Sequence, residues 1–514
     1  VIGAGISGLG IGIALQDAGF DDNAIFERAS DNGGTWRDNV YPGVGVDVPA
    51  QTYQFSFELK PDWSRVFAKG HEVQTYIGHV ADRYGLRPRI RLDSDVTCRV
   101  WNAEKCLWEL TVGGRTVTAR YVIGATGPYV EPKLPDIAGL DDFQGRVLQS
   151  SRWEEGCDLT GQRVGVVGTG ASAVQFVPEI APIVSRLDVY QRTPIWVVPK
   201  VDPGTPPWVE RLFRRQPFVQ DLVRRAILSV TEKLTTTLVL RFERRSTRTT
   251  VSALTWMLRE VFYRRQLPDP DLRRRLTPDY GLWCKRPAIS SIYLRTFLRP
   301  NVELVTDSIE CITPRGIRTR DGREREIDTL ILATGFHLAT DPESYTARPV
   351  RGRDGFDLET FYRENRARSY EGISMPGLPN HFMVVGAYGV AGSTWHAIPE
   401  AAGIHIVRVL RAARARGAQC IEPSEEATER WSALMRERLE RSLIKRNSCE
   451  TARSFYIDRN GDVAMLRATS GKQSFIDHAT FPLEDYMFSS GPAADRDARA
   501  HPSPTNVRAQ VAGG

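Results

Sequence analysis

The chain lacks several features that would assign it to common functional classes. It has no run of 18 apolar residues, so no membrane-spanning helix is expected. None of its cysteines forms a CxxC pair, which argues against a zinc ribbon and against a dithiol reductase. Their odd number and scattered spacing also argue against a disulfide framework and favour a reducing compartment, the cytoplasm. The seven cysteines are at positions 98, 106, 157, 284, 311, 420 and 449.

Other missing patterns argue against metal, hydrolase and nucleic-acid functions. The eight histidines show no metal-ligand spacing, so no metal site is expected, and no GxSxG nucleophile motif is present. A net charge of +6 is too small to indicate a nucleic-acid partner. The 514 residues are 41% hydrophobic and 25% charged, which is typical of a globular chain of about three domains. No signal peptide is visible in the sequence. Because the sequence opens inside a motif at Val1, we expect that a short N-terminal piece precedes it.

A glycine motif typical of dinucleotide-binding domains occupies the first ten residues. Gly3, Gly5 and Gly8 follow a short apolar strand and precede an apolar helical stretch. In such a loop the first glycine permits the tight turn and the second lets backbone N–H groups approach a pyrophosphate. The third lets the helix pack closely. Glu27 follows Gly3 by 24 residues, where a carboxylate accepts hydrogen bonds from the adenosine ribose.

A second glycine motif, of the form GxGxxA, follows the apolar run 163–167. Its residues are Gly168, Thr169, Gly170, Ala171, Ser172 and Ala173. At the position that matches Glu27 the chain has Arg192, and a guanidinium binds a 2′-phosphate that a carboxylate would repel. This site should therefore prefer NADPH, unless Arg192 is only a surface arginine at a strand end. Together the two motifs predict one bound flavin dinucleotide and one exchanging NADPH.

The order of these motifs predicts an α/β fold with two Rossmann-like domains. Two further predicted strands end in Ala-Thr-Gly, at 121–127 and 329–335. The second lies about 150 residues after the second glycine loop, which indicates that the second domain is inserted into the first. We expect the FAD-binding domain over 1–150 and 326–490, and the NADP-binding domain over 151–325.

Two segments differ from this pattern. Residues 203–275 have helix-length stretches, and 211–275 hold 16 Lys and Arg against 6 Asp and Glu. We interpret them as a helical insertion with solvated basic faces; the alternative is a patch that attracts an anionic cofactor or a membrane surface. The composition of 491–514 predicts a disordered tail.

Residues 33–47, GGTWRDNVYPGVGVD, resemble a long pattern of the Baeyer–Villiger monooxygenases, which are FAD- and NADPH-dependent flavoproteins. Residues 143–153, FQGRVLQSSRW, are similar to the linker fingerprint of that family, FxGxxxHxxxW, with Gln149 in place of the histidine. The segments QRTP at 191–194 and CKRP at 284–287 also resemble family segments. The resemblance extends to about residue 490 and is weakest in the arginine-rich insertion.

This resemblance implies an oxidoreductase that inserts one oxygen atom of O2 beside the carbonyl of a small ketone. The reaction would proceed through a flavin peroxide and yield an ester or lactone. Arg286 would stabilise the peroxide anion and Asp47 would orient that arginine. The FAD residues implied are Gly3, Gly5, Gly8, Glu27, Gly34, Thr35, Trp36, Val46, Asp47, Tyr53 and Val96. The NADPH residues implied are Gly168, Thr169, Gly170, Ala171, Ser172, Ala173, Arg192, Thr193, Lys285 and Arg286.

Several alternatives stay open from the sequence. A flavin monooxygenase that oxygenates nitrogen or sulfur is the second hypothesis, which the Lys285–Arg286 pair disfavours. A flavin-binding redox sensor or uncoupled NADPH oxidase is the third. Glutamine at position 149 cannot carry charge, so we expect oxygenation with altered coupling to NADPH. Tyr388 and Trp395 would make an apolar substrate pocket or pack in the core, and neither the ketone nor the choice of monomer or dimer is fixed.

Overall fold

Two parallel sheets organise the computed structural model, which describes residues 1–129, 131–392 and 394–491. The first sheet contains the first glycine motif. Ile2 lies between Phe26 and Gly124, and the sheet continues outward through two parallel strand pairs. Its strands are Ile25–Phe26, Ile90–Arg91, Val122–Gly124 and His381–Met383. The last strand comes from beyond residue 380, so the chain leaves this domain and returns to it.

The second sheet has five parallel strands and contains the second glycine motif. Its spatial order is Val302–Val305, Arg186–Tyr190, Arg163–Val167, Thr329–Leu332 and Arg146–Gln149. Two strands of this sheet lie outside residues 151–325, since Arg146–Gln149 precedes this range and Thr329–Leu332 follows it. Part of the linker segment, Arg146–Gln149, forms an edge strand of this sheet. Four residues on their own carry no sequence signal that identifies the strand with which they pair.

Smaller sheets flank the two main ones. An antiparallel sheet is formed by Val96–Asn102, Leu107–Val112 and Arg115–Ala119, and Val350–Arg351 joins its edge in parallel. A three-stranded antiparallel sheet is formed by Ile309–Thr313, Gly316–Thr319 and Glu324–Glu326. The two-strand pairs are Val197–Val198 with Ala288–Ile289, Glu131–Pro132 with Phe336–His337, and Cys420–Pro423 with Tyr486–Ser489.

Helices cover both faces of the main sheets and form the predicted insertion. Outside the insertion, the helices of the described residues are Ile6–Asp17, Thr35–Asp38, Gly70–Arg83, Ala171–Ile180, Tyr293–Thr296, Glu343–Thr346, Leu358–Glu364, Ala397–Arg416, Glu425–Glu440, Leu443–Arg446 and Gly471–Thr480. The insertion contains Pro207–Arg215, Pro217–Thr235, Arg245–Met257, Arg264–Gln266 and Pro270–Leu276, with π turns at Thr236–Leu240 and Leu258–Tyr263. No helix in the described part of the chain is long and apolar enough to cross a bilayer.

One disulfide corrects the expectation drawn from the cysteines. Cys284 and Cys449 are bonded, with their Cα atoms 5.2 Å apart and a sequence separation of 165. A separation of that length leaves no spacing signal, so the pairing could not be predicted from the sequence. The bond attaches the segment that carries Arg286 to the C-terminal part of the chain. Cys98, Cys106, Cys157 and Cys311 form no disulfide within the described residues.

The predicted tail lies outside the described residues, except for Gly491. Tyr388, which the sequence left open as a pocket or core residue, is fully buried in the main apolar cluster of the first domain. Trp395 is half-buried and packs against the same cluster.

Candidate functional site

The first glycine loop is packed so closely that Gly3 and Gly8 leave no room for a side chain. The helix Ile6–Asp17 starts directly after Gly5. A Cβ atom on Gly8 would lie 1.8 Å from the Gly3 carbonyl oxygen, so the helix rests on the turn itself. Gly34 has φ +55° and its Cα lies 3.5 Å from where a Cβ of Gly5 would be. The 33–34 segment therefore lies against this loop, and the N-terminal amides of the helix stay accessible to a pyrophosphate.

Glu27 connects the same loop to its surroundings. One carboxylate oxygen accepts the Ala4 N–H at 2.8 Å, and the other accepts the Ala29 N–H at 3.1 Å. Arg37 also contacts the second oxygen, at 3.2 Å. A carboxylate offers about four lone-pair directions, so a ribose hydroxyl can still donate to Glu27. The glycine loop, the N-terminus of the helix Ile6–Asp17 and the Glu27 carboxylate together fit the dinucleotide part of FAD.

The remaining residues predicted for FAD include Thr35, Trp36, Val46, Tyr53 and Val96. The Trp36 ring nitrogen donates to the Tyr53 hydroxyl at 3.1 Å, and the two rings meet edge to face. Tyr53 is buried, and that burial raises its pKa above the usual range. Thr35 is exposed at the start of a short helix, and Val46 is buried beside Asp47. Val96 is buried at the start of its strand, two residues after Ser94, whose N–H donates to the Glu27 carbonyl at 2.7 Å.

The sequence did not predict that a histidine is buried beside Tyr53. His396 is fully buried between Tyr53, Phe55 and Tyr76, and neither ring nitrogen has a hydrogen-bond partner among the described residues. Burial lowers the pKa of His396 to about 3, so the ring is neutral. Nothing in its sequence context distinguishes it from the other histidines, because its environment is assembled from distant segments.

Arg286 and Asp47 form an ion pair across 239 residues of sequence. An Arg286 Nη atom donates to an Asp47 carboxylate oxygen at 2.7 Å. The Asp47 charge raises the pKa of Arg286 above its usual range, and burial acts against it more weakly. The side chains of Arg286 and Asp47 are still 39% and 34% accessible, so the pair borders open space rather than core. Tyr53, Tyr129 and Tyr456 are its other ionisable neighbours.

A small pocket lies beside Asp47 and reaches the helix of the second glycine motif. It is lined by Val46, Asp47, Ala171, Val174, Gln175, Lys200, Ala288 and Ile289. Gln175 holds its two walls together, because it accepts a hydrogen bond from the Tyr41 hydroxyl at 2.9 Å and donates to the Gly45 carbonyl at 3.0 Å. The pocket beside Asp47 therefore lies between the Val46–Asp47 segment and the helix of the second glycine motif.

The second glycine loop leaves its own helix terminus free. A Cβ on Gly168 would lie 2.4 Å from the Ala333 carbonyl oxygen, whereas one on Gly170 would meet no atom within 4 Å. The helix Ala171–Ile180 begins there with Ala171 exposed, Ser172 half-buried and Ala173 buried against the sheet. The Thr169 hydroxyl donates to the Thr193 carbonyl at 3.1 Å, which fixes the segment that carries Arg192.

Three cations come together beside this second loop. Burial and the positive charges of Arg192 and Arg453 lower the pKa of Lys285 to about 8. Lys285 also lies over the Tyr280 ring, 5.5 Å from its centre. Among the described residues, none of the three cations pairs with a carboxylate. Clustered cations without counter-charges fit a phosphate monoester, the group that distinguishes NADPH from NADH.

Arg453 is the member of this cluster that sequence reasoning missed. It follows the short turn Glu450–Ala452 in a left-handed conformation, with φ +49°. The disulfide at Cys449 attaches this turn to the residue before Lys285. Asn447 adds a hydrogen bond to the Leu282 carbonyl at 3.1 Å. The contact depends on two segments more than 160 residues apart, so no local pattern could have indicated it.

Gln149 lies at the end of the edge strand Arg146–Gln149, opposite Leu332. Its side-chain oxygen is buried and has no hydrogen-bond partner among the residues described. Trp153, the last residue of the linker pattern, is buried against Phe176 of the second glycine helix. The linker segment thus belongs physically to the second domain, and its effect on coupling stays a prediction.

Comparisons with known proteins agree with this geometry. Residues 1–233 match the family described as pyridine nucleotide-disulphide oxidoreductase. A Baeyer-Villiger monooxygenase of Streptomyces coelicolor is 36% identical over 472 residues, which are 90% of this chain and 86% of that protein. The closed crystal structure of cyclohexanone monooxygenase has a TM-score of 0.83 at 27% identity and covers 95% of this chain and 98% of that one. A complex of OTEMO with FAD and NADP has a TM-score of 0.82 at 26% identity, with the same coverage.

Proposed function

This chain belongs to the Baeyer–Villiger monooxygenase family, and on that premise we propose that Arg286, held by Asp47, is the catalytic cation of its oxygen insertion. The enzyme is an FAD- and NADPH-dependent monooxygenase that inserts one atom of O2 beside a ketone carbonyl. The observation that carries the proposal is the Arg286–Asp47 pair, whose Asp47 lines a pocket beside the helix of the second glycine motif. When bound, FAD would take two electrons from NADPH and supply them to activate O2, which is the source of the inserted oxygen atom.

The chain's own contribution is a fixed positive charge beside that pocket. Negative charge develops on oxygen atoms during insertion beside a carbonyl, and a preorganised guanidinium stabilises it without rearrangement. Asp47 holds the guanidinium through one short hydrogen bond and leaves its other N–H groups free to donate. The low polarity of the buried Tyr53 and Val46 strengthens this interaction.

We propose that the two cofactors are held by the residues predicted from the sequence. For FAD these are Gly3, Gly5, Gly8, Glu27, Gly34, Thr35, Trp36, Val46, Asp47, Tyr53 and Val96. For NADPH they are Gly168, Thr169, Gly170, Ala171, Ser172, Ala173, Arg192, Thr193, Lys285 and Arg286. The cytoplasmic location of the protein also stays a prediction. The Cys284–Cys449 disulfide argues against the reducing compartment on which that prediction was based.

The overall activity is tested by product yield. Purified enzyme is supplied with NADPH, air and a panel of cyclic, aryl and steroid ketones, while NADPH loss, ester formation and hydrogen peroxide are measured. Ester formed in proportion to NADPH supports the proposal. Peroxide formation alone with every ketone would favour an uncoupled oxidase, and product only from amines or sulfides would favour heteroatom oxygenation.

Replacing Arg192 should change the choice of nicotinamide cofactor. Loss of a charged hydrogen bond to the 2′-phosphate should weaken NADPH binding by about 1.5–3 kcal/mol, while NADH binding changes little. The dissociation constants of both nucleotides for Arg192→Ala are compared with those of the parent enzyme. Equal effects on NADPH and NADH would show that Arg192 does not contact the 2′-phosphate.

Replacing Arg453 should also weaken binding of the 2′-phosphorylated nucleotide selectively, but by less than replacing Arg192. We expect Arg453→Ala to bind 2′,5′-ADP about tenfold less tightly, by calorimetry, with 5′-AMP binding unchanged. Arg459→Ala is the matched control, because Arg459 lies on the same segment but pairs with Glu343 at 2.9 Å. Cys449→Ser should reproduce the selectivity if the disulfide holds Arg453 in place. An unchanged affinity of Arg453→Ala for 2′,5′-ADP would remove this arginine from the phosphate site.

A further inference from the structure

The outer face of the helical insertion exposes a continuous apolar stripe. On the helix Pro217–Thr235, Phe218, Leu222, Val230 and Leu234 are 68%, 65%, 68% and 51% exposed. These residues follow a four-residue spacing, and Ala226, which is also exposed, fills the gap between Leu222 and Val230. Residues four apart are neighbours on a helix, so these side chains form one exposed row, which winds about 160° around the helix from Phe218 to Leu234. Large apolar side chains exposed in a contiguous row are unusual on a globular protein and mark a binding surface.

The opposite face of this helix is firmly attached to the rest of the protein. Gln220 is buried and donates to the Lys60 carbonyl at 2.7 Å and to the Gln51 side chain at 2.9 Å. Glu232 turns toward the C-terminal region and accepts the Lys472 N–H at 3.4 Å. These contacts fix the rotation of the helix, so the apolar stripe cannot turn inward.

Cations accompany the stripe, whereas the acidic residues of this helix lie away from it. Arg225 and Lys233 are exposed between the apolar positions. Asp221 lies on the flank, where it pairs with Arg224 at 2.9 Å and with Arg225 at 2.5 Å. Arg225 remains 72% exposed in spite of that pair. The exposed face of the helix is therefore apolar and basic.

The preceding helix, Pro207–Arg215, has the same composition on its exposed side. Trp208 and Leu212, four residues apart, are 62% and 37% exposed. Arg211 and Arg215 are exposed next to them, and neither pairs with a carboxylate among the described residues. Only Gln216 separates the two helices, so they form one neighbouring pair.

We propose that this helix pair lies on the surface of a bilayer that contains anionic lipids. Apolar and aromatic side chains flanked by arginine and lysine are the pattern of an interfacial helix, which inserts its apolar face among the lipid headgroups. Anionic headgroups supply the charges that Arg211, Arg215 and Lys233 lack within the protein. A second copy of the same surface would instead bring cations against cations. A nucleic acid would leave the apolar stripe without a partner.

Co-sedimentation with vesicles tests this surface, whether or not the proposed catalytic role of Arg286 holds. The flavin-loaded enzyme should bind vesicles that contain phosphatidylserine, bind pure phosphatidylcholine far less, and dissociate as salt is raised. Phe218→Ser combined with Leu222→Ser should lower the partition constant roughly tenfold or more. Arg211→Glu combined with Lys233→Glu should lower it by about tenfold as well. Ile183→Ser is the matched control, because Ile183 is 46% exposed outside the insertion.

Flavin content and NADPH oxidation identify variants that misfold. If the Phe218→Ser/Leu222→Ser double variant misfolds, the single variant Leu222→Ser takes its place. Equal binding to neutral and anionic vesicles, or no binding, would overturn the proposal. So would sedimentation-velocity data that show a dimer of the parent enzyme dissociated by the same serine variants, since the stripe would then be a subunit interface.

Discussion

Arg286→Ala is expected to abolish oxygenated product while the enzyme keeps its FAD and still oxidises NADPH. A preorganised electrostatic donor in an active site contributes about 2.7–4 kcal/mol, so ester formation should fall at least about 100-fold. The flavin should remain because the residues proposed to hold it lie in the first glycine loop, at Glu27 and around Trp36. The measurement is ester formed per NADPH consumed under air, with hydrogen peroxide determined in parallel.

Two further variants separate charge from geometry. Arg286→Lys keeps the positive charge but lacks the planar guanidinium, which can donate to Asp47 and to a second group at once, so it should recover only part of the product. Asp47→Ala should resemble Arg286→Ala in a milder form, because Asp47 acts through the arginine. The control is Arg315→Ala, an exposed arginine of the same domain whose carboxylate contact, with Glu326, is a long 3.7 Å. Product from Arg286→Ala at nearly the parent rate would refute the role of Arg286 and favour oxygenation of nitrogen or sulfur.

The predictable parts of the fold are those encoded within one short segment. Both glycine loops combine a strand, a turn and a helix within about 15 residues, so the residues that determine them are neighbours in the sequence. The glycine spacing therefore predicted both Rossmann sheets, and the second lies within the first as expected. The helical insertion was predictable for the same reason, since it consists of helix-length segments with local periodicity.

The features that could not be predicted depend on contacts between distant segments. The Cys284–Cys449 disulfide and the approach of Arg453 to Lys285 require residues on either side of a long excursion to meet. The edge strand Arg146–Gln149 could not be assigned to the second sheet in advance, because its own four residues do not identify the strand with which it pairs. The placement of Asp47 beside Arg286 came from the resemblance to a family, since no spacing rule connects residues so far apart.

Gly8→Ala is expected to have the largest effect on the FAD site and on the stability of the first domain. A methyl group at position 8 would lie 1.8 Å from the Gly3 carbonyl oxygen, which is a backbone atom and cannot rotate away. The helix Ile6–Asp17 would have to move from the turn, and overpacking of this kind costs about 3 kcal/mol. The displaced helix amides would no longer converge on a pyrophosphate. The purified variant should contain almost no FAD and melt several degrees lower, as measured by absorbance and thermal unfolding.

Two other glycine variants show whether the added methyl group or its location matters. Gly78→Ala is the matched control, because Gly78 lies inside the helix Gly70–Arg83 with only the Arg87 guanidinium near, at 3.5 Å, and alanine favours helices. It should keep FAD and raise or maintain the melting temperature. Gly170→Ala meets no protein atom, so it should keep FAD and fold normally but weaken NADPH, whose pyrophosphate would occupy that space. If Gly8→Ala retained FAD as well as Gly78→Ala does, the close packing of the first loop would not be what positions the helix for the flavin dinucleotide.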